Sequence, residues 1–237
     1  MHEEPALTWI STGTRIRFYN GVIYTRLAPE DADGVIAAVT AKFRERGWLP
    51  AWWVMPNSRP ADLAQRLSAH GYTPWDSDLG MAADLAAVPD AVPLPAGVTI
   101  ERVRTEAALG DWLRAFGDGF GVPEWGMALY ARLPRGVPPS QSLFRYYLAR
   151  ADGVPAGSAL WFPARNAAVV DEIATVPAVR RRGIATAVTH AALKDAQTAG
   201  YQTAVLVASK AGEGVYRRLG FRSYGRRHIY VWPQPSR

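Results

Sequence analysis

The sequence of 237 residues contains no cysteine. That excludes disulfides, thiolate zinc sites, iron–sulfur clusters and a cysteine nucleophile, while placing the chain in no compartment. Lysine is scarce: Lys42, Lys194 and Lys210 stand alone, and every other basic side chain is arginine or one of four histidines. The histidines are scattered without an i, i+4 pair, so no metal site is expected. No apolar run approaches the roughly 18 residues of a membrane span. Met1-His2-Glu3-Glu4-Pro5 lacks the basic-then-apolar pattern of a secretory signal. The expectation is a cytoplasmic protein with no membrane partner.

What is present is an ordinary globular composition, 49% hydrophobic and 20% charged, which excludes a disordered tail or a fibre. The net charge is +6, from 27 Lys+Arg against 21 Asp+Glu. The arginines are dispersed and no nucleic-acid motif accompanies them, so nucleic acid is not an expected partner. A site for an anionic small molecule suits the same charge.

Residues 86–97 carry three prolines, small residues and no amphipathic period. Proline removes backbone donors and interrupts helices and central strands. The expected organisation is therefore a domain over 1–88, a linker over 89–97 and a second domain over 98–237. The second reads as alternating strands and helices. Strands are expected over 98–103, 142–150, 156–162 and 167–176, with an Asp152-Gly153 hairpin turn between the second and third. Helices are expected over 105–116 and 124–133. The helix over 183–198 is the clearest, because Ile184, Ala187, Val188, Ala191 and Ala192 repeat at the spacing of one buried face. A buried strand over 201–208, a short helix over 212–219 and strands over 221–224 and 227–232 follow. This is an α/β fold with a mixed sheet. The N-terminal half repeats part of the plan in weaker form: strand 51–55, helix 61–69, then Gly71-Tyr72 and an extended tail to Leu85. Upstream, Asn20-Gly21 reads as a hairpin turn between strands 16–19 and 22–27, and 31–46 as a helix.

Chemistry concentrates in residues 173–186, a strand, a proline turn, the basic run Arg180-Arg181-Arg182, then Gly183 and a helix start. The first turn of a helix leaves backbone N–H groups unpaired, and the macrodipole adds partial positive charge there. Gly183 and Ala185 let an anion approach those amides. The segment is not a Walker loop, which ends in Lys-Ser/Thr, nor a dinucleotide fingerprint, which needs three spaced glycines. Local spacing leaves open both an anion site and a plain basic helix start.

Arg180-Arg181-Arg182-Gly183-Ile184-Ala185 resembles the Arg/Gln-x-x-Gly-x-Gly/Ala signature of the GNAT superfamily of N-acetyltransferases, with Pro177 ahead of it. Downstream, Val215-Tyr216-Arg217-Arg218-Leu219-Gly220-Phe221 resembles that family's Leu-Tyr-x-x-Leu-Gly-Phe. One helix and one strand separate the two, and the resemblance spans about 97–232. It implies the GNAT acyl-CoA N-acyltransferase fold, with 98–237 as the acetyltransferase domain and 1–88 as a degenerate copy or an accessory α/β domain. The N-terminal half lacks the first signature, and Leu67 stands where Tyr216 would be.

The resemblance further implies acetyl-CoA as co-substrate. Its pantetheine arm would pair with the backbone of Ile173, Ala174 and Thr175, and its diphosphate would sit on the amides of Arg181, Arg182, Gly183, Ile184, Ala185 and Thr186, with Arg180 at the mouth. Tyr216 would act as general acid toward the departing thiolate, or else simply pack the helix on the sheet. Glu172 stands where some members carry an acidic residue and is the candidate general base; in a regular strand Asp171 would point to the other face. Ser209 replaces an asparagine frequent in the family and remains a candidate for binding coenzyme A. The implied reaction is direct transfer of an acetyl group from the thioester to a primary amine, small-molecule or peptide, in a ternary complex. A non-catalytic acyl-CoA-binding regulatory protein is the alternative. Phe116, Phe120, Trp125, Tyr130, Trp161 and Phe162 are available to line an acceptor cleft, with Asp111, Asp118 and Glu124 to hold a cation. His190 and His228 read as packed and as surface residues. Monomer and homodimer both remain open.

Overall fold

The computed structural model describes residues 1–12, 20–131 and 137–232. The chain divides into two compact units, Met1–Gly80 with Gly225–Arg237, and Met81–Tyr224. The linker expected over 89–97 thus lies inside the second unit, and the end of the chain belongs to the first.

In the first unit, β1 (His2–Glu4), β2 (Leu7–Ser11) and β3 (Asn20–Thr25) pair antiparallel in turn. Helix α1 (Ala32–Glu45) carries the chain over to β4 (Ala51–Val54), which runs parallel to β3, a connection that parallel strands require. Helix α2 (Leu63–Ala69) and strand β5 (Thr73–Asp84) follow. The last strand of the chain, numbered β11 (Arg222–Val231), pairs antiparallel with β4 through His228–Val231. Trp9, Ile36, Phe43, Trp52, Leu63, Leu67 and Tyr72 form the core. Two of its polar side chains are satisfied inside it: the Trp52 indole donates to Thr25 Oγ1 at 2.9 Å, and Thr40 Oγ1 and the Tyr72 hydroxyl are 2.9 Å apart.

Two sequence expectations change here. Asn20-Gly21 is not a turn but the start of β3, opposite Ser11 and Ile10. A Cβ on Gly21 would stand 1.9 Å from the Ala51 carbonyl oxygen, so this glycine serves a close backbone approach. The strand expected over 16–19 lies outside the described residues. The expected strands 221–224 and 227–232 are one strand, β11.

In the second unit, β5 ends in a 3₁₀ turn, Leu85–Ala87, where Asp84 accepts from the Ala86 amide at 2.9 Å. Strands β6 (Val98–Arg102), β7 (Arg145–Ala151), β8 (Val154–Pro163) and β9 (Ala168–Thr175) pair antiparallel in succession. Asp152 and Gly153 make the β7–β8 turn with φ of 51° and 82°. Helix α3 (Glu106–Phe120) is capped by the Thr105 hydroxyl, and α4 (Glu124–Tyr130) follows it; residues 132–133 of the expected second helix lie outside the described residues. Helix α5 (Ile184–Thr198), strand β10 (Thr203–Ala208) and helix α6 (Glu213–Arg218) complete the unit.

Strand alternation assigns the two faces of this sheet. Tyr146, Leu148 and Leu160 pack with Leu109, Trp112 and Phe116 of α3. Tyr147 and Trp161 project the other way, to Asp195 of α5. The two helices therefore sandwich β7–β9, and the mixed α/β character expected from the sequence is the architecture observed.

Candidate active site

The site begins where two strands part. Strand β9 runs parallel to β10 at Ala168↔Ala204 and Val169↔Val205. Further along β9, Ile173, Ala174 and Thr175 instead line a cavity of about 1060 Å³. On its other side β9 stays paired with β8, but the register shifts: Leu160 faces Asp171 and Ser158 faces Ala174, so Glu172 and Ile173 together oppose Ala159. This is a β-bulge, and it turns Glu172 into the left-handed region at φ 53°. Ser158 Oγ donates to the Glu172 carbonyl at 2.8 Å, and the Asp171 carboxylate accepts from the Glu172 amide at 2.9 Å.

The expectation of a regular strand at Asp171-Glu172 is thus corrected. The two carboxyls have different surroundings: the Glu172 charge raises the pKa of Tyr146, and the Asp171 charge raises that of Tyr216. Burial, then the charge of Asp171, pushes the Glu172 carboxyl up to about 8. Glu172 is not among the residues that line the cavity.

Beyond β9 the chain makes a 3₁₀ turn at Pro177–Val179, then Arg181 (φ 66°) and Gly183 (φ 90°) both take left-handed conformations. Gly183 is the N-cap of α5, and the first helical bond runs from the Ala187 amide to the Gly183 carbonyl at 3.1 Å. The amides of Ile184, Ala185 and Thr186 precede that bond and have no carbonyl one turn back. Those residues, with Arg180 to Gly183, line the cavity.

The arginines divide their work. Arg180 Nε donates to the Thr175 carbonyl at 3.1 Å and its Nη2 to the Gly119 carbonyl at 2.7 Å, so this side chain ties the end of β9 to the end of α3. Arg182 Nη2 donates to the Ala96 carbonyl at 3.3 Å. Arg180 therefore braces the two elements while its charge stays on the cavity wall.

Tyr216 of α6 and Ser209 of the preceding loop lie on the same cavity. Tyr216 is buried, edge-on to Phe221 with ring centroids 6.0 Å apart. Burial, and then the charge of Asp171, pushes its phenol up to about 12, so it stays protonated across the physiological range. Ser209 Oγ accepts from the Gly212 amide at 3.3 Å, which leaves its own hydrogen to donate.

The cavity thus brings together Ile173, Ala174, Thr175, the run 180–186, Ser209 and Tyr216. It also has walls that sequence reasoning missed: Val92, Pro93 and Pro95 from the supposed linker, and Gly119 near the end of α3. The three prolines marked that segment, but as punctuation rather than as a surface. Among the acceptor candidates, Phe120 is 54% exposed and lines the cavity. Trp125 is 65% exposed, whereas Phe116 is buried in the core. Asp111 is held by Arg150 at 2.6 Å and by Arg114, and Trp161 faces α5, so neither is free to meet an acceptor on the α3 side.

The donor set suits a long ligand with a phosphate part. Ile173–Thr175 give an extended edge for amide pairing, and the first turn of α5 gives amides for a phosphate. Among the described residues, Thr175 Oγ1 is buried beside them without a hydrogen-bond partner. An acyl-CoA has a group for each. No group of three or more His, Asp or Glu among the described residues is placed to hold a metal ion, and no described helix is long and apolar enough to cross a membrane.

Comparison with known proteins bears on this geometry. Residues 111–221 match the acetyltransferase (GNAT) family. No curated protein sequence matches the chain. Among solved structures, a GCN5-related N-acetyltransferase from Kribbella flavida superposes with a TM-score of 0.77 at 19% identity, over 97% of this chain and 91% of its own. A GCN5-related N-acetyltransferase from Sphaerobacter thermophilus does so at 0.71 and 19%, over 90% and 73%. A tandem GNAT protein from the clavulanic acid biosynthesis pathway matches at 0.64 and 15%, over 91% and 74%. At these identities the likeness is one of fold.

Proposed function

We propose, for a chain whose residues 111–221 form a GNAT-family acetyltransferase domain, that it transfers an acetyl group from acetyl-CoA to a primary amine. The observation that carries this reading is one cavity shared by the freed edge of β9, the first turn of α5 and the buried phenol of Tyr216. Ile173, Ala174 and Thr175 pair with the pantetheine amides, the amides of 181–186 take the diphosphate, and Ser209 donates to the same arm.

In the transfer, the amine nitrogen bonds to the thioester carbonyl carbon, the C–S bond breaks, and the nitrogen sheds a proton. Glu172 takes that proton, directly or through water. A carboxyl poised near 8 is a far stronger base than an ordinary glutamate and matches work near neutral pH. Tyr216 faces the departing sulfur. A phenol near 12 does not hand its proton fully to a thiolate of pKa about 8.5. It donates a hydrogen bond that strengthens as negative charge gathers on sulfur, which is stabilisation specific to the transition state.

The test is calorimetry with coenzyme A, then thiol release from acetyl-CoA across a panel of primary amines. Binding together with amine-dependent thiol release is the expected result. Binding with no turnover for any amine would make this an acyl-CoA-binding regulatory protein, and no binding would end the donor-site reading.

A further inference from the structure

Residues 85–97 run along α5 in the opposite direction to the helix. Gln197 Nε2 donates to the Leu85 carbonyl at 2.9 Å, and Lys194 Nζ lies 3.5 Å from Asp90. His190 Nε2 bonds to the Pro89 carbonyl at 2.7 Å. At the other end, Arg182 donates to the Ala96 carbonyl, and Pro95 Cγ lies 3.5 Å from where a Cβ on Gly183 would stand. The partner number falls from 197 in the helix to 182 in the loop before it while the strap number rises from 85 to 96. A carbonyl oxygen only accepts, so His190 carries its hydrogen on Nε2.

Proline fixes φ, so a segment with Pro89, Pro93 and Pro95 loses little freedom on being ordered. Its inner side puts Val92, Pro93 and Pro95 on the cavity wall, next to the phosphate-seeking turn. That surface is apolar and pre-ordered, and carries no charge of its own. On an acyl-CoA, the group joined to the diphosphate on the side away from the acyl arm is a flat purine nucleoside. We propose that Val92, Pro93 and Pro95 seat the adenosine end of the acyl donor, and that His190 is the positioning residue that holds this wall against α5. The inference rests on the reading of the cavity as an acyl-CoA site.

The experiment uses the full chain and calorimetry with two ligands: coenzyme A, and 4′-phosphopantetheine, which keeps the arm and one phosphate but lacks the adenylate. His190→Ala and the double variant Pro93→Gly/Pro95→Gly each weaken coenzyme A by about five- to twentyfold, the range of one or two lost contacts. The ratio of the two affinities falls by nearly the same factor. His190→Gln, whose amide can still donate to Pro89, recovers most of the loss. Equal losses for both ligands, or an unchanged ratio in every variant, overturn the proposal while leaving the donor site standing. A wild-type chain that binds neither ligand overturns the donor site itself. Melting curves on each variant separate a lost wall from a lost fold.

Discussion

Across the bulge between β8 and β9, the Ser158 hydroxyl holds the Glu172 carbonyl at 2.8 Å, in a residue whose φ of 53° an ordinary strand would not tolerate. The bond fixes a backbone turn that puts a carboxyl in a buried place, where its pKa rises to about 8. With Glu172 as base, kcat/KM climbs with pH and levels off above about 8. Glu172→Gln removes that limb and leaves only the titration of the amine, with a rate loss of about 10²-fold. Stability moves the other way. The folded carboxyl stays protonated while the unfolded one ionises near 4.5, so stability is full below that value and falls as pH rises toward 8. Glu172→Gln, which cannot ionise, is more stable than wild type at pH 9 by about 1–3 kcal/mol and close to it at pH 4. Denaturant titrations at the two pH values read this directly. A pH–rate profile identical in wild type and variant would remove Glu172 from the reaction.

Tyr216→Phe keeps the ring against Phe221 and deletes only the hydroxyl. With the phenol acting on the leaving sulfur, kcat falls by about 10- to 10²-fold while coenzyme A affinity changes by less than about threefold. Steady-state kinetics with one amine and binding by calorimetry give both quantities. An unaltered kcat means the phenol only packs.

The parts of the site legible in the sequence are the parts that are local. Residues 173–186 read correctly as strand, turn and helix start because proline, glycine and the apolar period act within a few residues of themselves. The bulge at Glu172 was hidden because it is a property of two strands: it appears only when Leu160 and Ser158 are laid against Asp171 and Ala174. The charge of Arg180 is visible in the sequence, but the carbonyls of Thr175 and Gly119 that fix where that charge stands are not. Asn20-Gly21 misled for a related reason: a glycine needed for contact with Ala51, distant in sequence, looks the same as a glycine needed for a turn. His190 repeated the pattern, since its partner is the Pro89 carbonyl, 101 positions away.

Gly183 adopts φ of 90°, and only Pro95 stands within reach of a Cβ there. Gly183→Ala therefore costs about 1 kcal/mol of stability through backbone strain, with modest loss of coenzyme A affinity. Gly183→Glu puts a carboxylate in the seat proposed for the diphosphate, and coenzyme A affinity is expected to fall by more than about 10²-fold. Calorimetry on the two variants separates strain from charge. Unchanged affinity in the glutamate variant refutes the assignment of this loop.

The face of the sheet away from α3 carries its own polar knot, centred on Asp195. Trp161 Nε1 donates to it at 2.8 Å and Arg145 at 3.2 Å, Arg102 lies 3.6 Å away, and Tyr147 bonds to it as well. Arg145 also stacks 4.6 Å above the Trp161 ring. Burial pushes the Asp195 carboxyl up, but the hydrogen bonds of Tyr147, Trp161 and Arg145 and the charge of Arg102 outweigh it and hold the pKa below its usual value. A depressed carboxyl stabilises the fold above its unfolded pKa, and this share is lost as pH falls below about 4. Asp195→Ala leaves two guanidinium groups, an indole and a phenol short of their acceptor, at a cost of about 2–4 kcal/mol. Because Asp195 lies about three helical turns along α5 from the turn that lines the cavity, and none of its partners lines it, coenzyme A affinity of the folded variant stays within about threefold of wild type. Chemical denaturation at pH 7 and pH 3.5 reads the first effect as a gap between wild type and variant that narrows in acid. A gap of the same size at both values shows that the network works through shape rather than charge.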